Sequence, residues 1–571
     1  MRFIRVIPVL TTPLGLDGFD YLIPEGMLIA VGDLVRVPFR RGSTYGLVAQ
    51  LLDHSPFAKQ AKQVQDVVAS GWLDARFITF LEACARHTFC SMPSILKTFF
   101  HALPKRLPAF EGRRPVTPTL HQSQTVWTPF LREELQKAMA SAQAQTGQTL
   151  VLVPWKLWLS QAQELFPEVE VYGSELNDGD RFAVMKRFLA GESKCVVTTR
   201  IGAWLACAAD RVIVLEPEND DYKQDEQTPR LDTRWMVKRA WQLFGFDLLS
   251  LATTPTPGKS GQAVTIPVDL RLQLLQTGDK PLIPCIQSES LRFLLEHEGP
   301  RVILHPVKQW SARIACWECH WQATCERCHQ TVRHATTTEA ECVVCHHRQS
   351  IPLQCPSCGG FKLHKSVPGM EKLKQAWGKH YAEETVEWRD LSNESAYTPL
   401  PEGSMVLVTL PELFSGHGED IRRGERLCVN VRRFAALCAA SKATLLLQVS
   451  EEEANQWSAW LTAEGHEAWQ TKELKERAAF GYPPASRLVK AIFRGSMEKA
   501  GAWLRSLPHN VRALAQVRGP FPVDMRTLKQ QERAVIHFVF PPETPDSVLL
   551  PVLTPLASHV MIDLDPIAFY R

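Results

Sequence analysis

The 571-residue sequence has no uninterrupted apolar run long enough to span a bilayer, and Pro8 and Pro13 break MRFIRVIPVLTTPLG where the apolar stretch of a signal peptide would lie. A cytoplasmic location with no membrane partner is therefore expected. An excess of one charge is lacking too: 64 Lys and Arg face 61 Asp and Glu. Net charge thus demands no general attraction to nucleic acid, and any such contact must be local. There is no internal repeat and no long low-complexity run. Glycine is missing between Gly112 and Gly147, and within that gap TVWTPFLREEL carries no lysine where its helical pattern starts. A GxxxxGK[ST] phosphate cradle needs both residue types, so none can be built there.

What is present is enough ordinary globular material for several domains, 45% hydrophobic and 22% charged. Residues 1 to 56 alternate apolar and polar in short runs broken by Gly and Pro, the pattern of a small β-rich domain. From Arg76 to Phe100 the spacing becomes helical, and LPKRLPAFEGRRPVTPTLHQ then reads as a Pro/Arg-rich linker. Beyond it, helix-like FLREELQKAMASAQAQ (130–145) leads into strand TLVLVP (149–154), a helix, strand VEVYG, another helix, and strands CVVTTR (195–200) and RVIVLE. Such alternation predicts a parallel sheet covered by helices on both faces. A shorter alternation surrounds the cysteines: strand RVILHP, helix MEKLKQAW, and strands MVLVTL (405–410) and TLLLQV (444–449). The tail from about 475 is mixed α and β, with VIHFVF and VMIDLDPI its clearest strands. The expected class is α/β multidomain: a small β-rich N-terminal domain, two α/β lobes with a metal module inserted in the second, and an α+β C-terminal domain.

Eight of fifteen cysteines lie between 316 and 358, as the CxxC pairs Cys316 and Cys319, Cys325 and Cys328, Cys342 and Cys345, Cys355 and Cys358. In a large cytosolic-looking chain such clustering means metal rather than disulfides. Each CxxC sets two thiolates on one tight turn, and two facing turns make the four-sulfur shell that zinc accepts, so four turns predict two zinc ions. With no open coordination position and no catalytic acid at a fixed offset, both are expected to be structural. The interspersed His320, His329, His334, His346 and His347 are expected to be solvated or to support the ligands.

Residues 211 to 226, RVIVLEPENDDYKQDE, run a buried-looking strand into a cluster of carboxylates. An acidic pair at a strand end is where a magnesium-dependent nucleotide hydrolase holds its metal, which makes Glu216 and Glu218 the candidates. Without a cradle there is no triphosphate for that metal to serve. The expectation is instead a solvated strand end on which Asp220, Asp221, Asp225 and Glu226 pair with Lys223 and Arg230.

GFDYLIPEGM, GDLVRVPF, VVTTR, DDYKQDE, the eight cysteines, GMEKL and the closing IDLDPI, in that order, resemble the primosomal protein N′ (PriA) family of replication-restart helicases. The resemblance runs along nearly the whole chain. It implies RecA-like helicase lobes, ATP-driven 3′ to 5′ unwinding, and a pocket for the free 3′ end of a nascent strand at a stalled fork. It carries that pocket onto Phe19, Asp20, Tyr21 and Lys62: an aromatic to stack the last base, a carboxylate to accept from a base edge or the 3′ hydroxyl, and an ammonium for phosphate. The family's small residue after VPF is here Arg40. The resemblance also assigns one zinc to Cys316, Cys319, Cys355 and Cys358 and the other to Cys325, Cys328, Cys342 and Cys345. Its expected domains are 1–105 (3′-end binding), a linker at 106–122, lobes at 123–260 and 261–455 with the zinc module at 314–360, and a C-terminal domain at 456–571. Implied partners are forked or branched DNA with a 3′ end, single-stranded-DNA-binding protein, and primosome or helicase-loading proteins.

Four departures are large. The family's winged-helix domain has no counterpart, because HALPKRL passes through a short linker into the first lobe. The cradle is missing; the sole GKS, Gly258 to Ser260, lacks the earlier glycine and reads as a loop. The Asp-Glu-Glu-His box is Glu216, Pro217, Glu218 and Asn219, and where the arginine-finger segment should precede the last lobe strand the chain offers RRFAALCAASKATLLL. All three nucleotide elements act on one phosphate group, so a family member without ATPase activity is expected, with neither ATP nor Mg2+ as cofactor and no catalytic residue. The competing readings are a working helicase with an atypical nucleotide site, and a zinc-ribbon protein that binds RNA or protein.

Overall fold

The computed structural model describes residues 2–567 apart from 102, 105–106, 108–109, 112–121, 226, 259–260, 262, 276–280, 307–313, 317–320, 322, 328–331, 335–337, 343–346, 362, 366–367, 391–397, 412–421 and 523–532. The chain divides into two compact units. One combines residues 1–126, 131–252 and 543–567; the other combines 127–130 with 253–542.

The first unit begins with a six-stranded sheet in the order Phe19–Leu22, Phe3–Pro8, Gly42–Leu52, Leu34–Phe39, Asp66–Ser70, Phe110–Glu111. The alternation seen in residues 1 to 56 becomes antiparallel pairing, with Arg5 opposite Asp20 and Ile4 opposite Tyr21. The last strand lies inside the expected linker and pairs parallel with Asp66–Ser70. Helix Ala75–Thr88 starts where the Asp74 side chain accepts from the Arg76 and Phe77 amides, and it stops at Phe89 in the left-handed region. Its buried Phe77, Phe80, Leu81 and Cys84 recur at helical spacing and share a core with Phe99, Phe100 and Trp204. Phe77 meets Trp204 edge-on at 6.1 Å, which ties the β-rich domain to the layer that follows.

That layer is a six-stranded sheet in the order Ser123–Trp127, Asp247–Ala252, Arg211–Leu215, Thr149–Leu152, Cys195–Thr198, Glu170–Tyr172, the last five of which pair in parallel. Thr149–Leu152 and Cys195–Thr198 are buried at every position, as strands covered on both faces must be. Pattern reading anticipated strands Thr149–Leu152, Glu170–Tyr172, Cys195–Thr198 and Arg211–Leu215 and helices Leu131–Ala144, Lys156–Leu165 and Asp178–Ala190; it missed strands Ser123–Trp127 and Asp247–Ala252, helix Thr233–Phe244 and the 3-10 turns Arg200–Ala208.

The second unit holds a five-stranded parallel sheet, Asp269–Leu274, Thr444–Val449, Met405–Val408, Arg301–Leu304, Glu387–Arg389. Between Arg301–Leu304 and helix Met370–His380 the described residues form two small antiparallel sheets, with Cys316 and Cys342 on their strands. Helices Arg423–Ala440 and Ala463–Phe480 then lead to an antiparallel group, Gln516–Pro522, Arg533–Phe540 and Arg487–Arg494.

Candidate functional site

Strand Phe19–Leu22 lies at the edge of the N-terminal sheet, and tertiary pairing brings the distant Lys62 segment to it. The Leu22 amide donates to the Lys62 carbonyl at 2.9 Å, and the Val64 amide donates to the Leu22 carbonyl at 3.1 Å. Because strand residues alternate, Phe19 and Tyr21 share one face and Asp20 takes the other. Phe19 is half-buried and meets Phe39 edge-on at 5.5 Å; the Arg40 guanidinium lies 5.6 Å from the Phe39 ring centre. Arg40 holds φ at +49°, a conformation that favours glycine, and its carbonyl accepts from the exposed Lys62 ammonium at 3.5 Å. Tyr21 is buried, donates its hydroxyl to Pro38 at 3.2 Å, and burial pushes its phenol up to about 12. It supports the strand from below and presents no open ring face.

Asp20 differs most from expectation. Its carboxylate accepts from Arg5 Nε at 2.9 Å and Nη2 at 3.3 Å, and from Ser55 Oγ at 2.7 Å, and its side chain is 1% exposed. The oxygens expected to meet a ligand are engaged inside the protein. What Asp20 leaves open is backbone: the residue as a whole is only half-buried, and Leu22, two residues on, turns its amide and carbonyl away from the neighbouring strand, so Asp20 does likewise at the sheet edge. Arg5 and Ser55 were missed by sequence reading. Alternation puts Arg5 on the outward face, but no spacing rule reveals whom it meets across the strand.

In the cysteine region, Cys316, Cys355 and Cys358 converge, with their sulfurs all within 4.8 Å of one another. Three turns close alike: the amide of Cys316 donates to the carbonyl of Trp321 (2.7 Å), that of Cys342 to His347 (2.9 Å) and that of Cys355 to Gly360 (2.8 Å). Gly359 takes φ +71° as the last of these turns reverses. Cys325, whose sulfur accepts from the Arg327 amide at 3.4 Å, and Cys342 are buried in one small core. Cys319, Cys328 and Cys345 lie outside the described residues, as do His320, His329 and His346. Three thiolates on facing turns fit a soft, tetrahedral ion such as zinc, to which they would supply sulfur ligands.

The start of the acidic run is shielded from solvent, although Asp221 further along it is exposed. Glu216, Glu218 and Asn219 are buried, and Glu216 holds φ at +50° with its amide bonded to the Leu251 carbonyl at 2.7 Å. Nor do Lys223 and Arg230 serve as its counter-ions. Lys223 Nζ pairs with Asp563 at 2.9 Å and donates to the Leu564 carbonyl at 2.8 Å, and Arg230 pairs with Asp563 at 3.4 Å, all three residues being buried. A carboxylate from the closing IDLDPI segment neutralises them, which sequence proximity could not reveal; Glu226 is outside the described residues. Asp221 instead accepts from the Trp155 indole.

Helix Leu131–Ala144, which would abut a nucleotide, has Glu133 and Glu134 in its first turn and so turns carboxylates toward the end that favours anions. Gly258 is left-handed, and a side chain there would collide with Pro484, while Lys259 and Ser260 are outside the described residues. Arg432 of RRFAALC is fully buried and donates to the carbonyls of Trp460 and Val264 and to Thr254. Among the described residues no helix is long and apolar enough to cross a membrane.

Two family models match the chain: the PriA 3'DNA-binding domain (3'BD) at residues 9–101, which spans Phe19 to Lys62, and the Primosomal protein N C-terminal domain at 478–567. Among curated proteins, the replication restart protein PriA of Haemophilus influenzae is 25% identical over 407 residues, covering 61% of this chain and 55% of its own length. Those of Rickettsia conorii and Rickettsia felis are 21% and 20% identical, and each alignment covers 99% of this chain and 100% of the relative.

Proposed function

We propose that this chain, which belongs to the PriA family of replication restart proteins, captures the 3′ end of DNA at a fork or branch and does so without hydrolysing ATP. The observation that carries the reading is the edge strand Phe19–Leu22 with Lys62 laid beside it, inside the segment matched by the 3' DNA-binding domain. Phe19 offers a ring to the last base, and the open Asp20 amide and carbonyl offer a donor and an acceptor to its edge. Lys62 offers a charge to phosphate. Arg5 and Ser55, by holding the Asp20 carboxylate, fix the strand that presents these groups.

Three features support the absence of ATPase activity, because phosphoryl transfer rests on positioning and charge. Carboxylates occupy the first turn of the helix where a cradle belongs. The acidic motif is buried as Glu-Pro-Glu-Asn, and Arg432 is bound internally, out of reach of a triphosphate. On this reading the two parallel sheets are RecA-like lobes kept as scaffold, at 123–260 and 261–455, and residues 314–360 are an inserted module holding two structural zinc ions. Its partners are forked DNA, single-stranded-DNA-binding protein and the proteins that load the replicative helicase, in the cytoplasm.

The test compares forks whose leading-strand 3′ end is free or blocked by a bulky terminal group, with and without ATP. Tighter binding to the free end, unchanged by ATP, is the expected result. Equal binding to both would remove the pocket reading. DNA-stimulated ATP turnover lost in a Glu216→Gln, Glu218→Gln double variant would restore the working helicase.

A further inference from the structure

The hairpin formed by Leu34–Phe39 and Gly42–Leu52 carries charge at its tip, where local geometry asks for glycine. Its strands pair down to Phe39 opposite Gly42, so Arg40 and Arg41 alone make the turn. Two-residue turns favour Gly, Asn or Asp because their backbone enters the left-handed region, and Arg40 does so at φ +49°. Both arginines are exposed. The exposed Lys62 ammonium donates to the Arg40 carbonyl at 3.5 Å, and the Arg40 guanidinium lies over Phe39, whose ring meets Phe19 edge-on at 5.5 Å. Cations from two segments are thereby brought to the strand that carries Phe19.

The carboxylate of that strand is withheld from them. Arg5 and Ser55 occupy the Asp20 oxygens inside the protein, and Gly18 leaves room for this, since a Cβ there would stand 3.1 Å from Arg5 Cγ. Asp66, on the strand beside Leu34–Phe39, pairs with Arg36 at 3.8 Å. Resting on the strand-end reading above, we propose that this site selects a DNA 3′ end bearing a terminal phosphate over one bearing a hydroxyl. A 3′ hydroxyl is recognised through an acceptor, and the carboxylate that would accept from it is already engaged. A terminal phosphate carries a charge of about −1.5 to −2 at neutral pH and three acceptor oxygens, more than any phosphate within the strand. Lys62 supplies it a mobile point charge and Arg40 a planar fork of donors. The arginine turn has its reason here too: glycine at position 40 would relax the backbone and lose the fork.

The test compares forks whose leading-strand 3′ end is a hydroxyl, a phosphate or the bulky block. The full-length protein should bind the phosphate end about tenfold more tightly than the hydroxyl end, the scale of one exposed charge-assisted hydrogen bond, and the blocked end most weakly. Arg40→Gly suits the left-handed backbone and so keeps the turn. It should bring phosphate and hydroxyl ends to within about twofold of each other while both still exceed the blocked end. Hydroxyl ends held as tightly as phosphate ends, with the block still rejected, would overturn the phosphate inference and leave the strand-end reading standing. Equal binding of every end would remove both. An Arg40→Gly variant that weakens all forks by the same factor would put Arg40 on phosphates within the strand and refute its terminal role.

Discussion

Replacing Asp563 by alanine leaves Lys223 and Arg230 facing each other in a site that excludes water. Asp563 and Lys223 have side chains 0% and 1% exposed, Arg230 is 8% exposed, and the ion pairs span 2.9 and 3.4 Å. Removing one partner of a buried pair costs about 3–5 kcal/mol, because the remaining charge has neither water nor counter-ion. With two cations sharing one carboxylate, the upper half of that range is expected. Global unfolding of a chain with two compact units does not report this cleanly, so the readout is amide exchange in strand Val560–Leu564 and around residues 220–232. A loss of about 4 kcal/mol speeds exchange roughly a thousandfold if those amides open through rupture of this contact. Lys223→Met and Arg230→Met together with Asp563→Leu should recover much of the protection, since apolar replacement of a whole buried ion cluster is often close to neutral. Less than a fivefold change in Asp563→Ala would show that water reaches the site and that the contact does not hold the closing strand.

Purified protein should carry two zinc equivalents; one or none by metal analysis removes the two-site assignment, and Cys358→Ser should release the ion of the Cys316, Cys355 and Cys358 cluster along with local order, because thiolate binding is coupled to folding. Lys62→Ala should weaken fork binding and lower its salt dependence by about one ion, whereas Ser55→Ala should loosen the strand without changing that slope, as measured by titration at several salt concentrations. Calorimetry should detect no ATP binding to the wild-type protein. Burial alone would raise the Glu425 carboxyl, yet Arg422 and Arg477 outweigh it and bring it down to about 2. A carboxylate depressed in this way stabilises the fold above the unfolded value near 4.3, and the contribution, roughly 3 kcal/mol, is lost as pH falls from there toward 2. Acid unfolding monitored on helix Arg423–Ala440 should be flatter across that window in Glu425→Gln.

Much of the fold was legible in the sequence because the signals involved are local. The alternation in residues 1 to 56, the helical spacing that became Ala75–Thr88 and Met92–Phe99, and the apolar runs that became the parallel strands all follow from side-chain periodicity within a few residues. The CxxC pairs likewise announce their chemistry, since both thiolates of a turn are adjacent in the chain. Helix Thr233–Phe244 was passed over although its signal is local too: Thr233, Met236, Val237, Ala240 and Phe244 recur at helical spacing, with Arg234, Lys238 and Arg239 between them.

Local pattern could place Phe19 and Lys62 as candidates, but only pairing across the sheet brings the Lys62 backbone against Leu22 and engages the Asp20 carboxylate with Arg5 and Ser55. Sequence alone settled the residue types of the acidic motif and the absence of a glycine-rich cradle, because those are matters of composition within one short window. The burial of that motif, the internal engagement of Arg432, and the capture of Lys223 and Arg230 by a carboxylate more than 330 residues away were decided by the tertiary structure. The physical reason is that a charge excluded from water takes whichever counter-charge packing sets beside it, and sequence distance does not enter that choice.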